Sequence, residues 1–449
     1  MCMKRLMMEN LLRWKEEKDR KPLIIKGVRQ VGKTYLLKEF GKTHFPKYHY
    51  LNFEKEPILA KIFEADLSPQ RILTELSFHL NSSIDVARDL VIFDEIQELP
   101  KALTSLKYFC EDCPELHICA AGSLLGVHLS PESFPVGKVT FQTLRPMSFE
   151  EFLLAVEDER SLQFIRNFSG IEEVPEVIHV HLWDQLKRYF VVGGLPEVVA
   201  VYVQNRNDLF KALSLVRGKQ EDLVKSYYAD IAKHSGKVNA MHINRILESV
   251  PSQIRQVKEE SIARFRFRGV VPGVSHYDRL AGAIDWLETA GLVIKVPVVN
   301  TGHSPFSGYA KENFFKLLLF DIGILGSMSG LSPKNILEYE YGSYKGYFAE
   351  NFVAEELLGC GMEKLFSWQE GQAEVEFLLE LEGKVIPLEV KSGSNIKAKS
   401  LKSFSEKYKP AEQIILSGRS FSVNKSRGIY YYPLYLAGKI LSLKEEKGI

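Results

Sequence analysis

Gly27-Val28-Arg29-Gln30-Val31-Gly32-Lys33-Thr34 has the residue types and spacing of a loop that cradles phosphate. Its glycines let the backbone curl so that successive N–H groups converge on an anion, and a helix starting at its end adds the positive end of a dipole. Lys33 would reach the β- and γ-phosphates as a point charge, and the Thr34 hydroxyl would ligate Mg²⁺. A second group of chemical residues lies at Asp94-Glu95, where Leu90-Val91-Ile92-Phe93 delivers two carboxylates to the end of an apolar run. Asp94 would hold the metal through water and Glu95 would act as general base toward an attacking water. The same acids could instead only cap the following helix. Ser123, at the end of His117-Ile118-Cys119-Ala120-Ala121-Gly122, could touch the γ-phosphate or hold the lytic water, or serve as a plain turn or cap serine.

These residues need strands and a helix to position them. Leu23-Ile24-Ile25 reads as a strand before the loop, and Tyr35 to Phe40 as a helix after it, closed by Gly41. Further strands are expected at Tyr48–Phe53, Leu90–Glu95 and His117–Ser123. Before the loop, Leu6–Trp14 reads as a helix with Trp14 packing, and Lys15 to Lys21 as a solvated, charged connection.

At 449 residues, with 45% hydrophobic and 26% charged side chains, the chain can form two to four globular domains. Its net charge of +1 gives no global attraction to nucleic acid or membrane, so any basic surface must be local. Glu9 and Arg13 interrupt the first residues before a secretory apolar core forms, and Glu197, Lys316 and Asp321 break the strongest apolar runs, so neither a signal peptide nor a membrane span is expected. Five cysteines suit a reducing, cytoplasmic setting. Cys110, Cys113, His117 and Cys119 could be a zinc knuckle, but they straddle a helix end and a strand start, which favours buried thiols.

The phosphate loop together with Phe93-Asp94-Glu95-Ile96-Gln97, Ala121-Gly122-Ser123, Phe134 to Val139 and Pro146 to Phe152 resembles the prokaryotic AAA-type ATPase family with a glycine, Ala/Val, Arg, Gln phosphate loop. The resemblance covers about the first third of the chain. It implies an α/β P-loop fold with a parallel central sheet of the additional-strand, catalytic-glutamate type, with ATP and Mg²⁺ as ligands. Lys33, Thr34, Asp94, Glu95 and Ser123 take the roles given above, and Gly27, Val28, Arg29, Gln30, Val31 and Gly32 form the cradle. The domains are expected at 1–154 for the ATPase, 155–238 for a helical lid, 239–301 for a winged-helix module and 302–449 for a small α/β nuclease-like domain.

The remaining signals are these. Gly193-Gly194-Leu195-Pro196-Glu197 resembles the family's lid, while a glycine pair before proline is also an ordinary helix terminator. Arg145, Arg188 and Arg217 are candidates to sense the γ-phosphate. Tyr277, Leu280, Ile284 and Leu287 share a helical stripe closed by Gly291, with Leu292–Val296 as a β-wing. Arg264-Phe265-Arg266-Phe267-Arg268 could meet a phosphate backbone, or be a strand with one buried and one solvated face.

In the last third Glu350 sits on an expected helix, Tyr344–Leu358, and Glu374–Leu379 and Val385–Lys391 read as a hairpin turning at Glu382-Gly383. Glu376, Glu389 and Lys391 can share a sheet face, the composition that metal-dependent phosphodiester cleavage requires and also that of a plain charged strand face. Tyr347 to Phe352 with Leu388 to Lys391 is similar to the PD-(D/E)XK nuclease-like domain that accompanies this ATPase family, which implies a second metal site at Glu376 and Glu389 with Glu350 and Lys391. The family has aspartate where this chain has Glu376. Three outputs follow: an ATPase coupled to nucleic-acid or protein remodelling, an ATP-gated DNA-binding protein or nuclease, and a non-hydrolysing switch that recruits a protein partner. An oligomer is compatible with each.

Overall fold

The computed structural model describes residues 3–123, 135–253, 264–393 and 399–445. Phe134, named above, lies outside them. The chain divides into two compact units, one of residues 2–145 with 289–291, the other of 146–288 with 292–449.

The first unit is an α/β fold around a parallel sheet of five strands: β1 Leu23–Lys26, β2 Tyr48–Asn52, β3 Leu90–Asp94, β4 His117–Gly122 and β5 Thr140–Thr143. They lie in the order β2, β3, β4, β1, β5. Strand β4 therefore separates the loop-bearing β1 from the acid-bearing β3, which is the additional-strand arrangement. β3 and β4 are buried along their whole length, as central parallel strands are. Ile24, Val91, Phe93, Ile118 and Ala120 build one core with Leu103, Leu106 and Phe109 of the helix Pro100–Asp112.

Helix α1, Met7–Glu16, precedes β1. Trp14 is buried against Phe40 and His117, and its indole N–H donates to the Lys21 carbonyl. The charge run after it is anchored rather than merely solvated. Lys15 donates to the His44 carbonyl, and Arg20 to the carbonyls of Lys15 and Glu115. Helix α2, Lys33–His44, continues through Gly41. A side chain at Gly41 would lie 2.7 Å from the Tyr48 Cβ, so this glycine permits close packing against β2 instead of ending the helix.

In the second unit the chain is helical from Phe149 to Ser249, including Glu176–Val192, Pro196–Asn205 and the long Leu209–Ser235, and then forms a mixed sheet of eight strands. These are β6 Val293–Val299, β7 Phe315–Leu319, β8 Phe366–Glu370, β9 Ala373–Leu381, β10 Lys384–Val390, β11 Gln413–Ser417, β12 Ser422–Asn424 and β13 Ile429–Pro433. Leu280, Ile284 and Leu287 are buried as the stripe requires, and Gly291 takes a φ of 75° after the helix. The wing is a correction. Strand β6 pairs antiparallel with β7 and parallel with β8, so it belongs to the large sheet, and the boundary expected at 301 falls between two paired strands. A short apolar segment cannot announce in sequence which sheet it joins.

Gly193 and Gly194 form a packed corner. A Cβ on Gly194 would stand 2.2 Å from the Met147 carbonyl oxygen, and one on Gly193 would stand 2.4 Å from Asp321 Oδ1. The Gly194 N–H donates to Asp321 Oδ2 at 2.6 Å, and Met147 N–H donates to the Gly194 carbonyl at 2.6 Å. Burial lifts the Asp321 carboxyl to about 6 against the pull of those backbone donors.

No helix among the described residues is long and apolar enough to cross a membrane.

Candidate nucleotide site

Parallel pairing fixes the height at which each strand ends. Lys26 is in register with Gly122 and Thr143, and Asp94 with Asn52 and Ala121, so the loop after β1, the acids of β3, the polar end of β2 and Ser123 share one edge of the sheet. Gly27 and Gly32 take φ values of 152° and 97°, open to glycine and strained for other residues. Gly32 caps α2 without a side-chain hydrogen bond, and the first turn of α2 carries no acid, which leaves its amide donors and dipole to an anion.

Lys33 is 7% exposed and its ammonium donates to the carbonyls of Gly27 at 2.8 Å and Val28 at 3.0 Å. Burial pulls it down to about 8, with Glu95 and Asp94 opposing the fall. The Thr34 hydroxyl lies 3.1 and 3.0 Å from the two Asp94 oxygens. These hard oxygen ligands are of the kind Mg²⁺ takes, so the residues present fit a magnesium nucleotide.

Two partners of Asp94 escaped the sequence reading. Tyr50 donates to Asp94 Oδ2 at 2.6 Å and Asn52 Nδ2 to the same oxygen at 3.3 Å. The signal was present in the alternation Tyr48, Tyr50, Asn52 along β2, which puts three polar side chains on one face. Burial and the Asp94 bond push the Tyr50 phenol well above its ordinary range, and Lys38 lies 3.4 Å from the centroid of its ring. Glu95 leaves the strand with φ 51° and ψ 45°, a left-handed backbone that costs a non-glycine residue about 1–2 kcal/mol. Gln97 Nε2 donates to Glu95 Oε2 at 2.6 Å, a second contact the sequence did not disclose. Ser123 is buried at the end of β4.

The candidate arginines have different settings. Arg145 follows β5 and burial depresses its guanidinium. Arg188 reaches the Tyr202 hydroxyl at 3.4 Å. Arg217 is tied to Gln220 Oε1 at 2.8 Å and the Leu331 carbonyl at 3.1 Å, with burial lowering it to about 10. Cys113 and Cys119 are buried, and burial pushes both thiols up. His117 packs edge-on against Trp14 and Phe45, and burial holds it down to about 4. No three His, Cys, Asp or Glu side chains converge to hold a metal among the described residues.

That last fact also bears on the far end of the chain. Glu382 and Gly383, with φ of 50° and 76°, make the expected two-residue turn between β9 and β10. The structure brings Glu350, Glu376, Glu389 and Lys391 together, with Lys391 paired to Glu389 and the Val390 N–H donating to Glu376 Oε2 at 3.1 Å. It adds two residues that sequence reasoning missed. Lys316 of β7, 6% exposed, pairs with Glu350 at 2.7 Å and with Glu374. Although burial opposes it, Glu350 and Glu374 hold the Lys316 ammonium above its ordinary range, while burial raises Glu374, Glu376 and Glu389. Lys316 thus neutralises Glu350 and Glu374, and Lys391 pairs with Glu389, so cations already accompany the acids expected to hold a second metal. The Arg264–Arg268 stretch forms no strand, but its phenylalanines pack inward: Phe265 is buried and stacks on Phe315, Phe267 packs on Tyr277, and Arg264 is exposed over Phe314.

Residues 19–153 match the family model described as an AAA domain. This unit has the fold of a P-loop ATPase. Residues 184–335 and 345–437 match two further models, each described as a domain of unknown function (DUF8612 and DUF4143). No curated protein matches the chain. Similar solved structures include a Walker-type ATPase of Pyrococcus abyssi, with 17% identity, TM-score 0.45, and coverage of 73% of this chain and 96% of that one. AMPPCP-bound DnaA from Aquifex aeolicus has 16% identity, TM-score 0.30, and coverage of 63% and 87%. Cdc6p from Pyrobaculum aerophilum has 14% identity, TM-score 0.27, and coverage of 75% and 96%.

Proposed function

We propose that the first unit binds ATP with Mg²⁺ and hydrolyses it. The observation that carries this reading is the Thr34 to Asp94 contact at 3.0 Å, with Glu95 next in the chain and the phosphate loop beside it on the same sheet edge. Loop amides and Lys33 receive the phosphates, and Thr34 and Asp94 hold the cation. When bound, Mg²⁺ supplies charge neutralisation on the phosphate oxygens. Glu95 accepts a proton from a water that attacks the γ-phosphorus in line, forming one P–O bond as the bond to the leaving ADP oxygen breaks. Ser123 contacts the γ-phosphate or that water. The AAA-domain match over residues 19–153 supports the assignment.

The work done by hydrolysis is remodelling of a nucleic acid or a protein, with the second unit as the effector. A cutting role for that unit is disfavoured by Lys316, whose ammonium already neutralises Glu350 and Glu374. Phosphate release should be measured with and without DNA for wild type, Lys33→Ala and Glu95→Gln, with the oligomeric state recorded in the same buffers. Turnover that survives both substitutions unchanged would sink the proposal, and stimulation by DNA would identify the remodelled class.

A further inference from the structure

We propose that Gln97 is the residue that positions Glu95 for hydrolysis, an inference that rests on the ATPase reading above. The 2.6 Å bond from Gln97 Nε2 to Glu95 Oε2 engages one carboxylate oxygen. The orientation of the amide follows from chemistry, because an ionised carboxylate only accepts, and only the NH₂ of the glutamine can donate to it. Oε1 of Glu95 is thereby left to receive the proton of the attacking water.

Three observations single out this contact from ordinary side-chain packing. Gln97 is 8% exposed, and its neighbour Ile96 is wholly buried in the core of the unit, so the amide sits on a fixed platform. Among the described residues the Gln97 side-chain oxygen Oε1 is buried without a hydrogen-bond partner, so the residue is held here at a cost in solvation rather than for a satisfied network. Glu95 itself adopts the left-handed backbone that ends β3 and opens the short turn Ile96–Glu98, which brings side chains two residues apart within reach. A strained backbone, an orphaned carbonyl and a short charge-assisted bond meeting at one carboxylate are the marks of a held catalytic group. Gln97 touches no reacting atom; it acts through Glu95.

The test compares wild type with Gln97→Met, which keeps the length of the side chain without its amide, and Gln97→Asn, which keeps the amide one methylene short. Steady-state hydrolysis gives kcat and KM, and titration with a fluorescent ATP analogue gives Kd for the same preparations. The expected result is a 10- to 100-fold fall in kcat in both variants with Kd within twofold of wild type. Should Gln97→Met fail to fold, Gln97→Asn carries the test, because its analogue affinity reports an intact loop. A kcat within twofold of wild type, a rise in kcat, or an equal loss of affinity and kcat would overturn the positioning role. A wild type that binds the analogue and shows no turnover would overturn the ATPase reading and this role together, whereas turnover insensitive to Gln97 would overturn this role alone.

Discussion

If Lys33 meets the phosphates as proposed, nucleotide affinity should depend on pH between about 7 and 9. Burial brings its ammonium down to about 8 from an ordinary value of 10.5. Phosphates placed beside it would restore its proton, so above pH 8 binding must take up a proton that the free protein has lost. At pH 7 about nine-tenths of the free protein carries the charge, and at pH 9 about one-tenth does. Affinity for a non-hydrolysable analogue should therefore fall about tenfold between those values, or ~1.4 kcal/mol. Calorimetry in buffers of different ionisation enthalpy should show proton uptake near zero at pH 7 and approaching one at pH 9. Stability of the unliganded protein moves the other way. The cost of the charged, buried lysine is present in full below pH 8 and is relieved as pH rises toward 10.5. Affinity that is flat from pH 7 to 9 with no proton uptake would refute the reasoning, because it would mean that Lys33 stays charged in its buried setting.

Three further outcomes follow from the second unit. Gly194→Ala drives a Cβ to within 2.2 Å of a backbone oxygen that cannot yield, and should cost about 3 kcal/mol, read as earlier thermal unfolding in calorimetry; an unchanged melting profile would contradict the packed corner. Glu356, buried beside the Phe149 N–H at 2.8 Å, is lifted by burial to about 8, so its contribution to stability is full below pH 4.5 and declines as pH rises to 8. Glu356→Gln keeps an acceptor for that N–H and should flatten the decline, becoming more stable than wild type above pH 8 by a few kcal/mol at most, with melts at pH 6 and 9 as the check. Lys316→Ala removes the partner of Glu350 and Glu374 and should cost about 3–5 kcal/mol. Millimolar Mg²⁺ or Mn²⁺ should recover part of that loss in a melting assay, and indifference to divalent ions would show that the acids cannot hold a metal in place of the lysine.

The parts of the site that sequence discloses are those set by local geometry. A phosphate loop works through its own backbone, so Gly27 to Thr34 carries its meaning in eight consecutive residues, and the apolar run before Asp94 tells which end of a buried strand those acids occupy. Tyr50 and Asn52 are a different case, because they act on Asp94 from 44 and 42 residues away through strand pairing. Gln97 lay inside a motif already singled out, yet its contact depends on the left-handed turn at Glu95, which residue type does not foretell. Lys316 entered the sequence reading only as the break in an apolar run. A charge inside Phe315-Lys316-Leu317-Leu318-Leu319 was itself the sign of a buried partner. The wing failed for the reason that pairing is not written in residue type: the apolar run Val293–Val299 suits a wing and a strand of the large sheet alike.

The membership of β6 in the eight-stranded sheet decides how this protein can be taken apart. Among the described strands β7 has β6 as its one neighbour in the sheet order, and β8 has β6 along one edge. A fragment beginning after Thr301 would leave β7 unmoored and open the edge of β8, with the apolar Phe315, Leu317 and Leu319 released to pair with other copies. The region after Thr301 is therefore not a detachable cargo. Proteolysis or truncation that separates it from the preceding helical segment would yield aggregation in place of an isolated effector, and whatever that sheet contributes must be delivered with the segment before Thr301 still attached.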